Sequence, residues 1–370
     1  MCVPGRYSSR PLPRDVTTRS GLAHSFIFIY HRGVLARRTF LFAPLALGRA
    51  AESVPNLLLV TATGWRGQAT PWAGDPDLVA PNLKTFAGQS VVFSRAYSCC
   101  PKPDVAQKAL LTSKFPHAAR DNDEKLGGLK SAEAFANFPF AVRISLASPG
   151  GPGPGRVHMR GNVPSRNEPQ ARADLTIFYG GRKNDDDKFG EILQDLEKRN
   201  LSQNTVVCFT SDCGQQLGSQ GLSGDNVPFE ESVRIPLAIR YSSKLKPEAR
   251  DLASQVDIMP TLATLCGLEI PGGVQGVDLF GKTPTEVIGS EGKLGEPDEW
   301  RMLLRGYDKL VATPKGEITH LFNLADDPLE LTNLAHDPAQ KLKLASLKAQ
   351  LFAQMKKLGD GYDPSGLRTR

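Results

Sequence analysis

Four short apolar runs constrain this chain more than any other feature. "VPNLLLVTATG" (residues 54–64), "PFAVRISLASPGG" (139–151), "NTVVCFTSDCG" (204–214) and "RIPLAIRYSS" (234–243) share one plan, apolar residues that give way to small and polar ones. Runs this short, apolar on both alternating faces, are predicted to be strands buried on both sides, the setting of a parallel-rich sheet. Between them, "DDDKFGEILQDLEKRN" places Phe189, Ile192, Leu193 and Leu196 on one helical face, with Asp185–Asp187 expected at the positive N-terminal end of that helix. "DIMPTLATLCGL", with Pro260 near its start and Gly267 closing it, predicts a second helix covering the sheet. "ASPGGPGPGR" (147–156) can continue neither helix nor ladder and reads as a loop. From about residue 297, strand-like runs flank "TPKGE" as a hairpin turn, and a final helix is expected around residues 338–357. The expected fold class is therefore α/β, a central mostly parallel sheet flanked by helices, with a small α+β C-terminal subdomain. The expected divisions are a leader at 1–51, an α/β domain at 52–290 and the subdomain at 297–360.

Charge sharpens what the chain is for. The net charge is +6, but residues 1–50 hold eight arginines against Asp15 alone, which leaves the remainder at −1. A near-neutral body offers no basic footprint for nucleic acid. With 40% hydrophobic and 23% charged residues, and no run of 18 apolar ones, the bulk reads as globular, without a membrane span. In the basic segment Arg37-Arg38 precede the apolar stretch Phe40 to Leu47 and then Ala50-Ala51, the order of an export signal. It resembles the twin-arginine pattern R-R-x-F-L, so an exported protein, periplasmic or extracellular, is expected, with Val34 as an alternative start; the competing reading is an arginine-rich arm. Six scattered cysteines do not make a disulfide framework, and Cys208 and Cys266 read as small buried hydrophobes.

Four blocks in order resemble the sulfatase family of the alkaline-phosphatase-like superfamily: "PNLLLVTATGWRG", "APNLKTFAGQSVVFSRAYSCCPKPDVAQKALLTSKFPH", "NTVVCFTSDCGQQLGSQGLSGDNVPFEESVRIPLAIRY" and "DIMPTLATLCGLEIPGGVQGVDL". The tail "HLFNLADDPLELTNLA" is similar to the family's ending. The resemblance implies an alkaline-phosphatase-like sandwich and a metal-dependent hydrolase of sulfate esters. In the family a formylglycine made from Cys or Ser attacks sulfur, a divalent cation, usually calcium, holds the sulfate oxygens, and basic residues stabilise the developing charge.

Carried over position by position, most of that machinery is replaced. The motif T-D-D-x-R-G falls on "TATGWRG", which puts Thr63 and Gly64 where two metal-binding aspartates are expected. The nucleophile motif falls on "PDVAQKALLTS", which puts Pro103 at the nucleophile and Gln107 at its arginine. Proline has no nucleophilic side chain. In the D-H-G or D-N-G motif Asp212 remains and Cys213 replaces its partner, while Gly224-Asp225 replaces G-K, an anion for a cation. The K-W-H-L-G segment is reduced to "DNDEKLGGLK", and the histidine expected after "PFAVRISLA" is absent.

The expectation is thus a sulfatase-family scaffold acting as a pseudoenzyme, with Asp212 a vestigial ligand and Thr63, Gly64 and Cys213 lost ligand positions. Calcium belongs to the family; no cofactor is expected here. Any partner would be a small anionic ester, and the oligomeric state is left open. The alternative is a diverged hydrolase of sulfate or phosphate esters with a relocated site, for which Asp104, beside the nucleophile position, or Cys99-Cys100 are the candidates. A decaying gene product is the third reading. Arg66 is expected in a buried ion pair with Glu230 or Glu231, His117 in a packing role and His158 in solvent. Whether other carboxylates converge on Asp212 is left open.

Overall fold

The computed structural model describes residues 27–31, 54–118, 140–151, 153–270, 272–281, 286–292 and 299–360. Val34, Arg37-Arg38 and "DNDEKLGGLK" lie outside the described residues. In chain order the strands are β1 (Ile27–His31), β2 (Asn56–Ala62), β3 (Val91–Tyr97), β4 (Phe140–Leu146), β5 (Thr205–Ser211), β6 (Arg234–Ile235), β7 (Leu237–Arg240), β8 (Glu248–Ser254), β9 (Glu286–Gly292), β10 (Trp300–Arg305), β11 (Asp308–Ala312) and β12 (Ile318–Asn323). The helices are α1 (Pro81–Ala87), α2 (Pro103–Thr112), α3 (Glu168–Lys198), α4 (Glu230–Val233), α5 (Ile258–Leu265) and α6 (Lys341–Leu358).

The first eight strands form one sheet. β4, β2 and β5 are parallel neighbours, β3 and β8 are parallel neighbours, and β7 runs antiparallel between β5 and β3; β6, divided from β7 by Pro236, which has no N–H to give a ladder, pairs antiparallel with β3. β1, within the segment read as leader, pairs antiparallel with β4 at the edge. The period of two along β2 explains why its sequence is apolar throughout. Leu57 and Leu59 pack with Leu110 of α2 and Leu262 of α5 on one face. Leu58 and Val60 pack with Phe86 of α1 and Phe189 of α3 on the other.

The helix expected from Asp185 onward begins much earlier and runs for 31 residues. Its buried face carries Ala171, Leu175, Phe178 and Tyr179, but glycine and charge from Gly180 to Asp186 interrupt that apolar stripe before Phe189. A Cβ at Gly180 would lie 2.2 Å from the carbonyl oxygen of Gly151, so the Gly-Gly pair lets the glycine-rich loop lie against the helix. Asp185–Asp187 are therefore mid-helix rather than at an N-terminus. Asp185 is buried against Arg182 at 3.1 Å and accepts from Ser148 N. Asp186 accepts from Asn82 N and Leu83 N and so caps α1, whose own N-cap, Ala80, has no side-chain oxygen.

The second sheet, β12-β11-β10-β9, is antiparallel and starts at Glu286, ahead of the boundary at 297 read from sequence. β11 and β12 flank the "TPKGE" turn, and α6 covers one face through Leu347, Leu351 and Met355. The opposite face, through Trp300, Met302 and Leu304, packs on Tyr97, Val233 and Leu252 of the large sheet region. Inside that junction Lys309 is fully buried between Glu230 (3.0 Å) and Glu330 (2.7 Å), and Tyr97 donates to Glu230. One ammonium shared by two buried carboxylates leaves the second poorly compensated. Burial, above the opposing pull of Lys309, pushes the Glu330 carboxyl up to about 7.

A carboxyl whose folded pKa lies above its unfolded one stabilises the fold at low pH, and this contribution is lost as pH rises from the unfolded value, about 4.5, through about 7. Glu330→Gln is therefore expected to flatten the decline in melting temperature between pH 5 and pH 8. An unchanged slope in a calorimetric pH series would contradict the assignment.

Candidate functional site

Of the positions that the family reading singles out, Gly64, Gln107, Asp212 and Cys213 meet beyond the C-terminal ends of β2 and β5. Asp212 is fully buried just beyond β5. Its Oδ1 accepts from Gly64 N at 2.9 Å and from its neighbour Cys213 N at 2.7 Å, and its Oδ2 accepts from Gln107 Nε2 at 3.2 Å. Its carbonyl oxygen accepts from Ser98 Oγ at 2.6 Å and Gln255 Nε2 at 3.0 Å. Both carboxylate oxygens and the backbone are thus engaged by the protein itself.

Helix α2 positions Gln107. Pro103 is its first residue, a place that suits proline because the N–H there has no intrahelical acceptor. Gln107 follows one turn later on the same side and turns inward, its Oε1 accepting from Arg143 Nη2 at 2.8 Å. Arg143 in turn donates Nε to Thr61 Oγ1 at 3.3 Å. The result is a continuous bridge from Asp212 through an amide to a buried guanidinium. Asp104 stands apart, exposed in the first turn of α2, where a carboxylate complements the helix dipole. Cys99 and Cys100 are buried thiols.

A second guanidinium closes the other side. Arg182 donates to Thr63 O at 2.9 Å, pairs with Asp185 and lies over the rings of Trp65 and Phe178, each centroid 5.2 Å away. Burial lowers its pKa while Asp185 and Asp212 hold it up. Neither arginine stood out in the sequence reading: Arg143 interrupts an apolar strand and Arg182 follows the Gly-Gly pair, and those two interruptions were the available signals. Arg66 is buried, but the expected ion pair with Glu230 or Glu231 is not formed. Its Nη2 donates to Tyr179 at 3.2 Å, while Glu231 pairs with Arg160 at 3.0 Å and Glu230 with Lys309. The reason is reach: the acids on α4 are met first by the loop carrying Arg160 and by β11. His117 packs on Phe115 with Nε2 3.2 Å from Leu358 O, and His158 is exposed with Nδ1 2.7 Å from Asp77.

Beside this cluster the charge is negative. Burial raises the Asp225 carboxyl, and Asp212 and Asp104 raise it further against the pull of Lys102. Burial, then Asp212 and Asp225, pushes the Cys213 thiol well above its ordinary value, so it stays protonated.

The sulfatase family model matches residues 162–268, the stretch that holds Asp212, Asp225 and α5. Over that stretch the chain is similar to sulfatases. Among characterised relatives, it is 23% identical to an ulvan-active sulfatase of Formosa agariphila, over 61% of this chain and 64% of that protein. It is 41% identical to an endo-4-O-sulfatase of Bacteroides thetaiotaomicron, over 30% of this chain and 23% of that protein. The chain thus spans less than two-thirds of the length of either relative. In fold it is similar to a 2-O GAG sulfatase (TM-score 0.69, 17% identity, 84% of this chain and 94% of that one) and to the phosphonate monoester hydrolase of Agrobacterium radiobacter (TM-score 0.68, 17% identity, 82% and 96%). These likenesses establish a sulfatase and alkaline-phosphatase-like architecture, with its mostly parallel sheet flanked by helices.

Sulfatases are usually metal-dependent, so the residues here were set against a calcium ion. They do not fit one. Calcium takes six to eight oxygens, and the carboxylate that remains already accepts three N–H groups. Position 64 presents an N–H donor to the site instead of an oxygen; its φ of +65° strains any residue but glycine, and a Cβ there would require Gln215 to move. Among the described residues no three His, Cys, Asp or Glu side chains gather as for a metal ion.

The geometry makes Asp212 a structural acceptor. Asp212→Ala would strand buried donors at Gly64, Cys213 and Gln107, and a loss of about 2–5 kcal/mol is expected from the denaturation midpoint, with or without calcium. A variant as stable as the parent would contradict that role.

Proposed function

We propose that this chain is a sulfatase-fold protein that has given up the covalent sulfate-ester chemistry of its relatives and serves a non-catalytic, binding or scaffolding role. The observation that carries this reading is the bridge from Asp212 through Gln107 to Arg143. It spends on the fold the carboxylate oxygens that a cation would need. Pro103 supports it, because loss of the nucleophile from a covalent catalytic unit costs on the order of a million-fold in rate. Asp225 supports it too: it places a carboxylate where the resemblance puts a lysine. The order of charge and apolarity around Arg37-Arg38 supports export, so the role proposed is one outside the cytoplasm.

Purified protein incubated with an aryl sulfate and an aryl phosphate, in calcium, magnesium or manganese, is expected to show no turnover above buffer. Its melting temperature is expected not to rise with millimolar calcium, since a cation bound only to the folded state at a thousand times its Kd would add about 4 kcal/mol. Turnover that disappears in Asp104→Ala would overturn the reading and establish a relocated nucleophile.

A further inference from the structure

A cleft of about 350 Å³ opens at the other end of the large sheet, between α1, the last turns of α3 and the end of β7. It is separate from the cluster around Asp212. Asp212 follows the C-terminal end of β5, whereas Arg240, which lines the cleft, lies opposite Val207 near the start of that strand. At the rise of a strand the two are about 15 Å apart.

Arg240 is the feature that calls for a ligand. It is 8% exposed, and of its guanidinium nitrogens only Nη1 has a hydrogen-bond partner among the described residues, Gln89 Oε1 at 3.1 Å. Nε is buried without an acceptor, and the guanidinium carbon stands 5.2 Å from the Phe86 ring centroid. No ion pair is formed with it among the described residues; Glu197, the acid that acts on it, does so from beyond ion-pair distance. A buried cation without a counterion is costly. A guanidinium fork is also the group that best takes the paired oxygens of a carboxylate.

The remaining walls narrow the ligand class. Gln89, Gln194, Gln203 and Ser242 supply neutral groups that both donate and accept, the pattern that matches hydroxyl groups. The Glu197 carboxylate, also in the lining, only accepts. It welcomes a hydroxyl donor and repels a bare inorganic dianion. The volume is that of a small-molecule site. We propose that this cleft binds a small polyhydroxylated carboxylate, its carboxylate on Arg240 and its hydroxyls on the surrounding amides and Glu197.

The probe is D-gluconate, titrated calorimetrically into the full chain at low salt, with D-glucose and inorganic sulfate as separate arms. Saturable gluconate binding is expected, with glucose and sulfate at least tenfold weaker. Gln89→Glu, on the exposed rim, gives Arg240 an internal carboxylate; it is expected to raise the melting temperature and weaken gluconate at least tenfold. Gln194→Ala, also exposed, is expected to weaken it severalfold without changing the melting temperature. The proposal is overturned if gluconate does not bind, if glucose or sulfate binds as tightly, or if Gln89→Glu leaves the affinity unchanged. None of these readouts involves sulfate-ester turnover, so they stand or fall apart from the reading of the Asp212 cluster.

Discussion

The carboxylate of Asp212 is the point on which the rest of this structure depends. A buried carboxylate is unfavourable unless every oxygen is satisfied and its charge answered. Here the N–H groups of Gly64 and Cys213 and the amide of Gln107 satisfy the oxygens. Arg182 answers the charge directly, and Arg143 does so through Gln107. The same residue, through its carbonyl, ties in Ser98 after β3 and Gln255 before α5. One residue, through its side chain and its carbonyl, therefore joins the ends of β2, β3 and β5 to α2.

Much of this architecture was legible in the sequence, and the parts that were not share a cause. The strands could be read because both of their faces are buried: Leu57 to Val60 meet helices above and below, so apolarity is continuous. Helix α5 was readable because almost all of it is enclosed. The part of α3 ahead of Phe189 was not, because Gly180, Gly181, Arg182, Asp185 and Asp186, buried against partners far away in sequence, interrupt the apolar stripe that Ala171, Leu175 and Phe178 begin. The same holds for the site. Pro103, Gln107 and Asp212 could be placed by motif, but no pattern shows that Gln107 would turn inward to bridge Asp212 to an arginine of β4. The expected pair of Arg66 with Glu230 or Glu231 failed because those acids are claimed by Lys309 and Arg160.

The junction between the two sheets extends this logic. Glu230, which follows the loop bearing Asp225, reaches away from the site to the buried Lys309 of β11, and Glu330 completes the triad. The C-terminal sheet is thus anchored by charge to the short helix that follows the loop bearing Asp225. Each part holds the other, since removing either partner would leave a buried charge unpaired. Arg240, at the opposite end of the large sheet, is a buried cation with no ion pair among the described residues.

The most direct test of the central claim is a crystal structure of the protein grown in millimolar calcium with an aryl sulfate present. The account expects Asp212 Oδ2 to remain on the Gln107 amide and Oδ1 on the Gly64 and Cys213 N–H groups, with no cation among them. A calcium ion coordinated by Asp212, with Gln107 swung away, would contradict it.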